Sequence, residues 1–123
     1  MGVNVRDGDV WAMNMLVVLP ESGRGTLVGA LLNKTPRADT LLSATVQAQP
    51  EETPIQSTMV RPGVPLPPER LVSLSDTPTV AVEGDVTPGR FVNLTLQFES
   101  AEQIQVKVPV LAPTGAYADV PLP

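Results

Sequence analysis

The chain contains no cysteine and no histidine. Without cysteine, disulfides, iron–sulfur clusters and thiol nucleophiles are excluded. Without histidine, the commonest general base, the usual partner of a nucleophilic serine and the commonest transition-metal ligand are all missing. Aromatic side chains are scarce, limited to Trp11, Phe91, Phe98 and Tyr117, which leaves little for a stacking platform for bases or sugars. Basic residues are few: 8 stand against 13 acidic ones, for a net charge of −5. Phosphate binding calls for a Lys/Arg surplus, so nucleic acid is not an expected partner, and nothing pulls the chain towards an anionic membrane surface. No apolar run approaches the roughly 20 residues of a membrane-spanning helix; the longest, such as Met15 to Leu19, are strand-sized. No segment reads as a secretory leader, and Met1-Gly2 is expected to stand where a targeting segment has been removed.

Proline and glycine are abundant, 14 and 9 among 123 residues. The length fits one domain, able to bury roughly two-thirds of its unfolded surface. Helical periodicity never persists for the roughly 10 residues a helix needs, but alternation with period two does. Val92, Leu94, Leu96 and Phe98 share one face, with Asn93, Thr95 and Gln97 on the other. Ile104, Val106, Val108 and Val110 repeat the pattern against Gln103, Gln105 and Lys107. These are antiparallel strands with one buried face, joined by a short hairpin connection at Glu99-Ser100-Ala101-Glu102. Earlier strands are predicted at Asp9–Leu19, Thr26–Leu32, Thr40–Gln47, Ile55–Val60, Arg70–Leu74 and Thr79–Glu83. Turn chemistry separates them, at Pro20 to Gly25, Asn33 to Pro36, Pro62-Gly63 and Val86 to Gly89. About eight strands, within a range of seven to nine, at this spacing describe an all-β antiparallel sandwich. Gln49 to Thr53 reads as a polar loop, and Pro65 to Pro68 as a loop or sheet edge, because proline cannot pair centrally. Ala112 to Pro123 shows no periodicity. The expected organisation is one domain over residues 1–118 and a Pro-rich tail over 119–123.

Several segments, read in order, resemble one family. Gly8-Asp9-Val10-Trp11-Ala12-Met13-Asn14-Met15-Leu16-Val17-Val18 resembles its opening strand, and Gly25 to Asn33 and Asp39 to Ser43 the strands that follow. The closing run is the most specific: Pro88-Gly89-Arg90-Phe91-Val92-Asn93-Leu94-Thr95-Leu96-Gln97-Phe98, then Ile104 to Val110. Together they are similar to the PCu(A)C copper chaperone domain, a cupredoxin-like, immunoglobulin-like β-sandwich. Ala112-Pro113-Thr114-Gly115-Ala116-Tyr117 looks like the actinobacterial and mycobacterial lipoprotein branch of that family, the LpqE group. The resemblance implies a Cu(I) site built from a His and a Met in mid-domain and a later His-x-Met pair, soft donors suited to Cu(I). Here the first His position falls near Ser43, the middle Met near Thr58 to Val60, where Met59 stands, and the His-x-Met pair near Thr79-Val80-Ala81. With no histidine, the family site is expected to be absent.

Other candidates are weaker. Met13 and Met15, two apart on a strand, are expected to share a face; with Met59 they are the thioethers of a conceivable Met-only Cu(I) site, set against the plainer role of filling core gaps. Asp7-Gly8-Asp9 and Glu83-Gly84-Asp85 supply hard oxygen ligands in small number, and such pairs are ordinary in turns. Ser22, Ser43, Ser57, Ser73, Ser75 and Ser100 include no Gly-x-Ser-x-Gly elbow and have no histidine base. Gly23-Arg24-Gly25 is too short for a phosphate loop and reads as a turn. Asn33-Lys34-Thr35 and Asn93-Leu94-Thr95 match the N-glycosylation pattern, which the bacterial resemblance makes irrelevant. Trp11 is set either to anchor a partner or to close one end of the core.

The function expected is a non-enzymatic cell-envelope lipoprotein domain, PCu(A)C-like with its copper ligands lost, acting as an interaction or accessory module. No catalytic, cofactor-binding or metal-binding residue and no cofactor is assigned. The alternative is an extracytoplasmic copper chaperone binding Cu(I) through Met13, Met15 and Met59. The expected partner is an unidentified envelope protein or ligand, not nucleic acid, and the chain is expected to be monomeric. The resemblance implies a lipid anchor on a cysteine upstream of Met1, holding a soluble domain at the outer surface of the cell membrane.

Overall fold

The computed structural model describes residues 2–6, 8–20, 24–47, 56–60, 63–75, 79–84 and 89–113. Ten strands run in chain order: β1 (Val3–Val5), β2 (Val10–Val18), β3 (Arg24–Asn33), β4 (Asp39–Gln47), β5 (Gln56–Met59), β6 (Val64–Leu66), β7 (Leu71–Ser73), β8 (Val80–Glu83), β9 (Phe91–Phe98) and β10 (Ile104–Leu111). The all-β sandwich expected from the sequence is the fold. The count exceeds seven to nine because β1 and β6, each three residues long, are too short to show a period of their own. Pro65 sits in β6, at the sheet edge where a residue without an N–H is tolerated. Ile55, the start of one expected strand, lies outside the described residues, as do the 49–53 loop and all of the 119–123 tail.

The strands follow one path, β5-β8-β3-β2-β10-β9-β4-β6, with β1 beside β2 and β7 beside β3. β10 is the corner. Ile104 to Pro109 pair antiparallel with β9, and Val110 and Leu111 pair parallel with Val17 and Val18 of β2. It thereby joins a first sheet (β5, β8, β3, β2) to a second (β10, β9, β4, β6). On the far side the Val46 N–H of β4 donates to Ser57 Oγ of β5 at 3.0 Å, so the two layers also meet there.

The core between the sheets is mostly aliphatic. Val10, Ala12, Met15, Val17 and Leu19 enter it from β2 and the residue after it, Leu27 and Leu31 from β3, and Val92, Leu94, Leu96 and Phe98 from β9. The second sheet has the one-sided pattern of an antiparallel sheet. The first does not. Leu16, Val18 and Val28 form another buried cluster on its opposite face, with Leu111 packed against it. This accounts for the nearly continuous apolar run Val-Trp-Ala-Met-Asn-Met-Leu-Val-Val of β2, since burial on two faces removes alternation.

β2 changes phase in mid-strand. Met13 pairs with Ala30 and Leu16 with Val28, so Asn14 and Met15 together oppose Gly29. Asn14 takes the left-handed conformation at φ 55°, which asparagine tolerates better than most residues. The extra residue is a β-bulge. It moves the core-facing set from Val10 and Ala12 to Met15 and Val17. Gly29, at φ 144°, completes it, because a Cβ there would run into Met15 Sδ. A second bulge lies at Leu42 of β4, between the pairs Leu41–Phe98 and Ser43–Gln97.

Candidate functional site

The positions to which the resemblance assigns metal ligands lie on β4, at the end of β5 and at the start of β8. β5 runs antiparallel to β8, pairing Met59 with Val80 and Thr58 with Ala81, and the Val60 N–H donates to the Thr79 carbonyl at 2.7 Å. Following strand directions along the path makes β5 antiparallel to β4 as well. From the Val46–Ser57 hydrogen bond, stepping back three residues on β4 and forward three on β5 reaches Ser43 and Val60. Ser43, Met59, Thr79 and Ala81 therefore lie towards one end of the sandwich.

Their side chains do not make a copper site. Ser43 faces away from the core and its hydroxyl donates to Gln97 Oε1 at 3.0 Å. Thr79 is fully buried, and Ala81 nearly so. Met59 packs half-buried against the main core, and of the four it alone carries a soft donor. Cu(I) takes thioether and imidazole ligands; a hydroxyl engaged elsewhere, a threonine and an alanine do not fit it.

The shared face expected for Met13 and Met15 is overturned by the bulge at Asn14. Met15 is fully buried in the main core. Met13, on the other side of the inserted residue, is half-buried and faces outwards with Trp11. Met59 is separated from β2 by β8 and β3, roughly 14 Å at the ordinary spacing of strands. The three thioethers do not converge.

The remaining candidates resolve individually. Asp9 and Glu83 are exposed. Glu83 pairs across strands with Arg24, Oε1 to Nε 3.7 Å, with both side chains largely in water. Asp7 and Asp85 lie outside the described residues. Among those described, no group of three or more acidic residues is placed to hold a metal ion. Gly23, Ser22 and Tyr117 are also outside them. Arg24 and Gly25, expected in a turn, already belong to β3; a Cβ on Gly25 would strike the Val18 carbonyl. The Ser57 hydroxyl serves the backbone of β4.

Trp11 closes no core end. It is half-buried on the outer face of the first sheet, with the Lys34 ammonium 4.6 Å from the ring centroid. The two glycosylation-pattern asparagines differ. Asn93 lies half-buried on the outward face of β9. Asn33 is fully buried: its Nδ2 donates to the carbonyls of Arg37 (2.7 Å) and Leu66 (3.0 Å), and its Oδ1 accepts from the Thr35 N–H and hydroxyl.

Two features escaped the reading of the sequence. Asp39, buried at the start of β4, accepts from the N–H groups of Thr40 and Ser100 through Oδ1 and of Ala101 through Oδ2. Its carboxylate thus clamps the β9–β10 connection, and no local pattern links positions 39 and 100. The other is the outward position of Phe91, 47% exposed. That was legible, since Phe91 falls in phase with Asn93, Thr95 and Gln97.

The bulged first sheet, the corner strand β10 and the one-sided second sheet together define a cupredoxin-like β-sandwich. Three solved structures share this fold. A copper-bound PCuAC domain from PmoF2 superposes at TM-score 0.67 with 20% identity, over 90% of this chain and 99% of that one. An apo PCuAC domain from PmoF1 gives 0.69 with 16% identity, over 90% of this chain and 100% of that one. The apo PmoF2 PCuAC domain gives 0.66 with 20% identity, over 92% and 98%. No family model matches the sequence, and no curated protein does.

Proposed function

We propose that the chain is a non-enzymatic, extracytoplasmic PCu(A)C-like domain that keeps the fold and has lost the copper ligands. It serves the cell envelope as an interaction or accessory module, acting through its surface. The observation that carries this reading is the set Ser43, Met59, Thr79 and Ala81: the positions approach one another as strands, yet offer one soft donor. The LpqE-like closing segment adds the expectation of a lipidated cysteine upstream of Met1, a monomer in solution and an envelope protein or ligand as partner.

Cu(I) titration of the purified domain against a competing chelator tests the reading. The expected result is no stoichiometric binding, and no difference between the wild type and a Met13→Leu/Met15→Leu variant. Stoichiometric binding abolished by those substitutions would instead make the chain a methionine-based copper carrier. Mass spectrometry of the chain isolated from its own envelope tests the anchor, which a first residue other than a lipid-modified cysteine would refute.

A further inference from the structure

We infer that the outward face of the second sheet is a binding surface for a neutral, polyhydroxylated chain, a glycan without acidic groups. The inference rests on the reading of the domain as a binding module and names a ligand class for it.

Three strands align their outward side chains in rows. Thr45, Thr95 and Gln105 form one row across β4, β9 and β10, and Gln47, Asn93 and Lys107 the next. Ser43 and Gln97 begin a third, joined by their 3.0 Å hydrogen bond. No carboxylate stands in these rows, although the chain has 13 acidic residues. Lys107 is their one charge. Lys107 apart, this face carries amides and hydroxyls, each able to donate and accept. A shallow groove of about 360 Å³ runs over the first two of these rows, lined by Gln47, Asn93, Thr95, Gln105 and Lys107 among others.

Phe91 is a second and independent observation. It lies on this same face, two residues from Asn93 on β9, 47% exposed and paired across the sheet with the buried Pro109. The scarce aromatics make no platform of several rings, but this single exposed ring beside a polar groove gives the C–H face of one sugar an apolar seat, while amides take its hydroxyls. This is the mixture of one apolar surface and a few oriented polar groups that small-ligand sites use. Strand spacing of about 4.8 Å is close to the length of one pyranose unit, so a chain lying across the strands meets one polar row element per sugar. An acidic ligand would find a single cation in these rows, and a peptide strand no open edge on β9, which is paired on both sides.

The test is amide chemical-shift mapping with linear neutral oligosaccharides of glucose, mannose and galactose at millimolar concentration. The expected result is saturable shifts at Thr45, Asn93, Thr95 and Gln105 with at least one of them. Phe91→Ala and Thr95→Glu, both outward positions, weaken that binding by about tenfold or more, the loss expected for an aromatic or hydrogen-bonded contact, while the thermal midpoint is kept. Leu71→Ala, exposed on β7, leaves it unchanged. The inference is overturned if no saturable shift appears, if the shifts map elsewhere, or if only sulfated or carboxylated sugars bind and do so through Lys107. Its failure would leave the copper titration untouched, and stoichiometric copper binding would leave the glycan result standing.

Discussion

Met13 and Met15, separated by one residue, face opposite sides of β2. The inserted Asn14 at φ 55° reverses the alternation between them, so that Met15 is fully buried in the inter-sheet core and Met13 is half-buried outside it. Truncating the two should therefore have unequal effects. Met15→Ala is expected to cost about 2–5 kcal/mol, the range for a large buried side chain reduced to alanine. Met13→Ala should cost about 1 kcal/mol or less. Urea unfolding of the two variants decides it; equal losses would mean that the bulge is not as described.

Gly29 is the other half of that bulge. Alanine there must hold φ near 144° and meets the sulfur of Met15. Gly29→Ala is expected to lose about 1–3 kcal/mol from backbone strain alone, with the steric contact added. In the double variant Gly29→Ala/Met15→Ala the contact part disappears, so the combined loss should be smaller than the sum of the single ones. Additive losses in denaturant melts would argue against the contact.

Asn33, at the end of β3, ties the β3–β4 connection to the end of β6 from a fully buried position. Asn33→Ala leaves the Leu66 and Arg37 carbonyls without this donor, and each one left unsatisfied is expected to cost about 1–3 kcal/mol. Asn93→Ala, on the outward face, should stay within about 0.5 kcal/mol of the wild type. Parallel thermal melts compare them, and the Asn33 side-chain amide protons should exchange with solvent far more slowly than those of Asn93.

Asp39 offers a test of charge against shape. Both of its oxygens accept backbone N–H groups, from Thr40 and Ser100 on one and Ala101 on the other. In Asp39→Asn an NH₂ group replaces one acceptor and faces a donor. The isosteric change is therefore expected to cost at least about 1.5–3 kcal/mol, the worth of one hydrogen bond to a charged group, and to rescue little relative to Asp39→Ala. Hydrogen exchange at Ser100 and Ala101 should quicken in both. An asparagine variant as stable as the wild type would show that the carboxylate is not the clamp.

The second sheet was legible from the chain because one of its faces is wet. Alternation in Val92 to Phe98 and in Ile104 to Val110 marks both the strands and the inward set. In the first sheet that signal fails: Leu16, Val18 and Val28 are buried on the face opposite Val17 and Leu27, so polarity no longer reports direction. The reversal at Asn14 compounds this, since spacing by two implies one face only while the strand is regular. β1 and β6 are shorter than the window in which any period can be seen. The absence of histidine was readable, and so were the positions to which the resemblance assigns the metal ligands. Their approach through the β4–β5 and β5–β8 contacts depends on pairings between residues more than ten positions apart, and the outward turn of Ser43 on the bulge at Leu42.

The unequal exposure of the two sheets also sets where this domain has freedom to change. Along β2 and β3 a substitution meets packed neighbours on whichever face it falls, so most replacements there should be selected against for folding alone. On β4, β9 and β10 every second position can vary without touching the interior. A saturation library scored for folded protein should therefore show period-two tolerance over residues 91–98 and 104–108, and near-uniform intolerance over 15–19 and 25–29. New recognition properties would arise most readily on the tolerant side, with the other sheet holding the frame constant while they do.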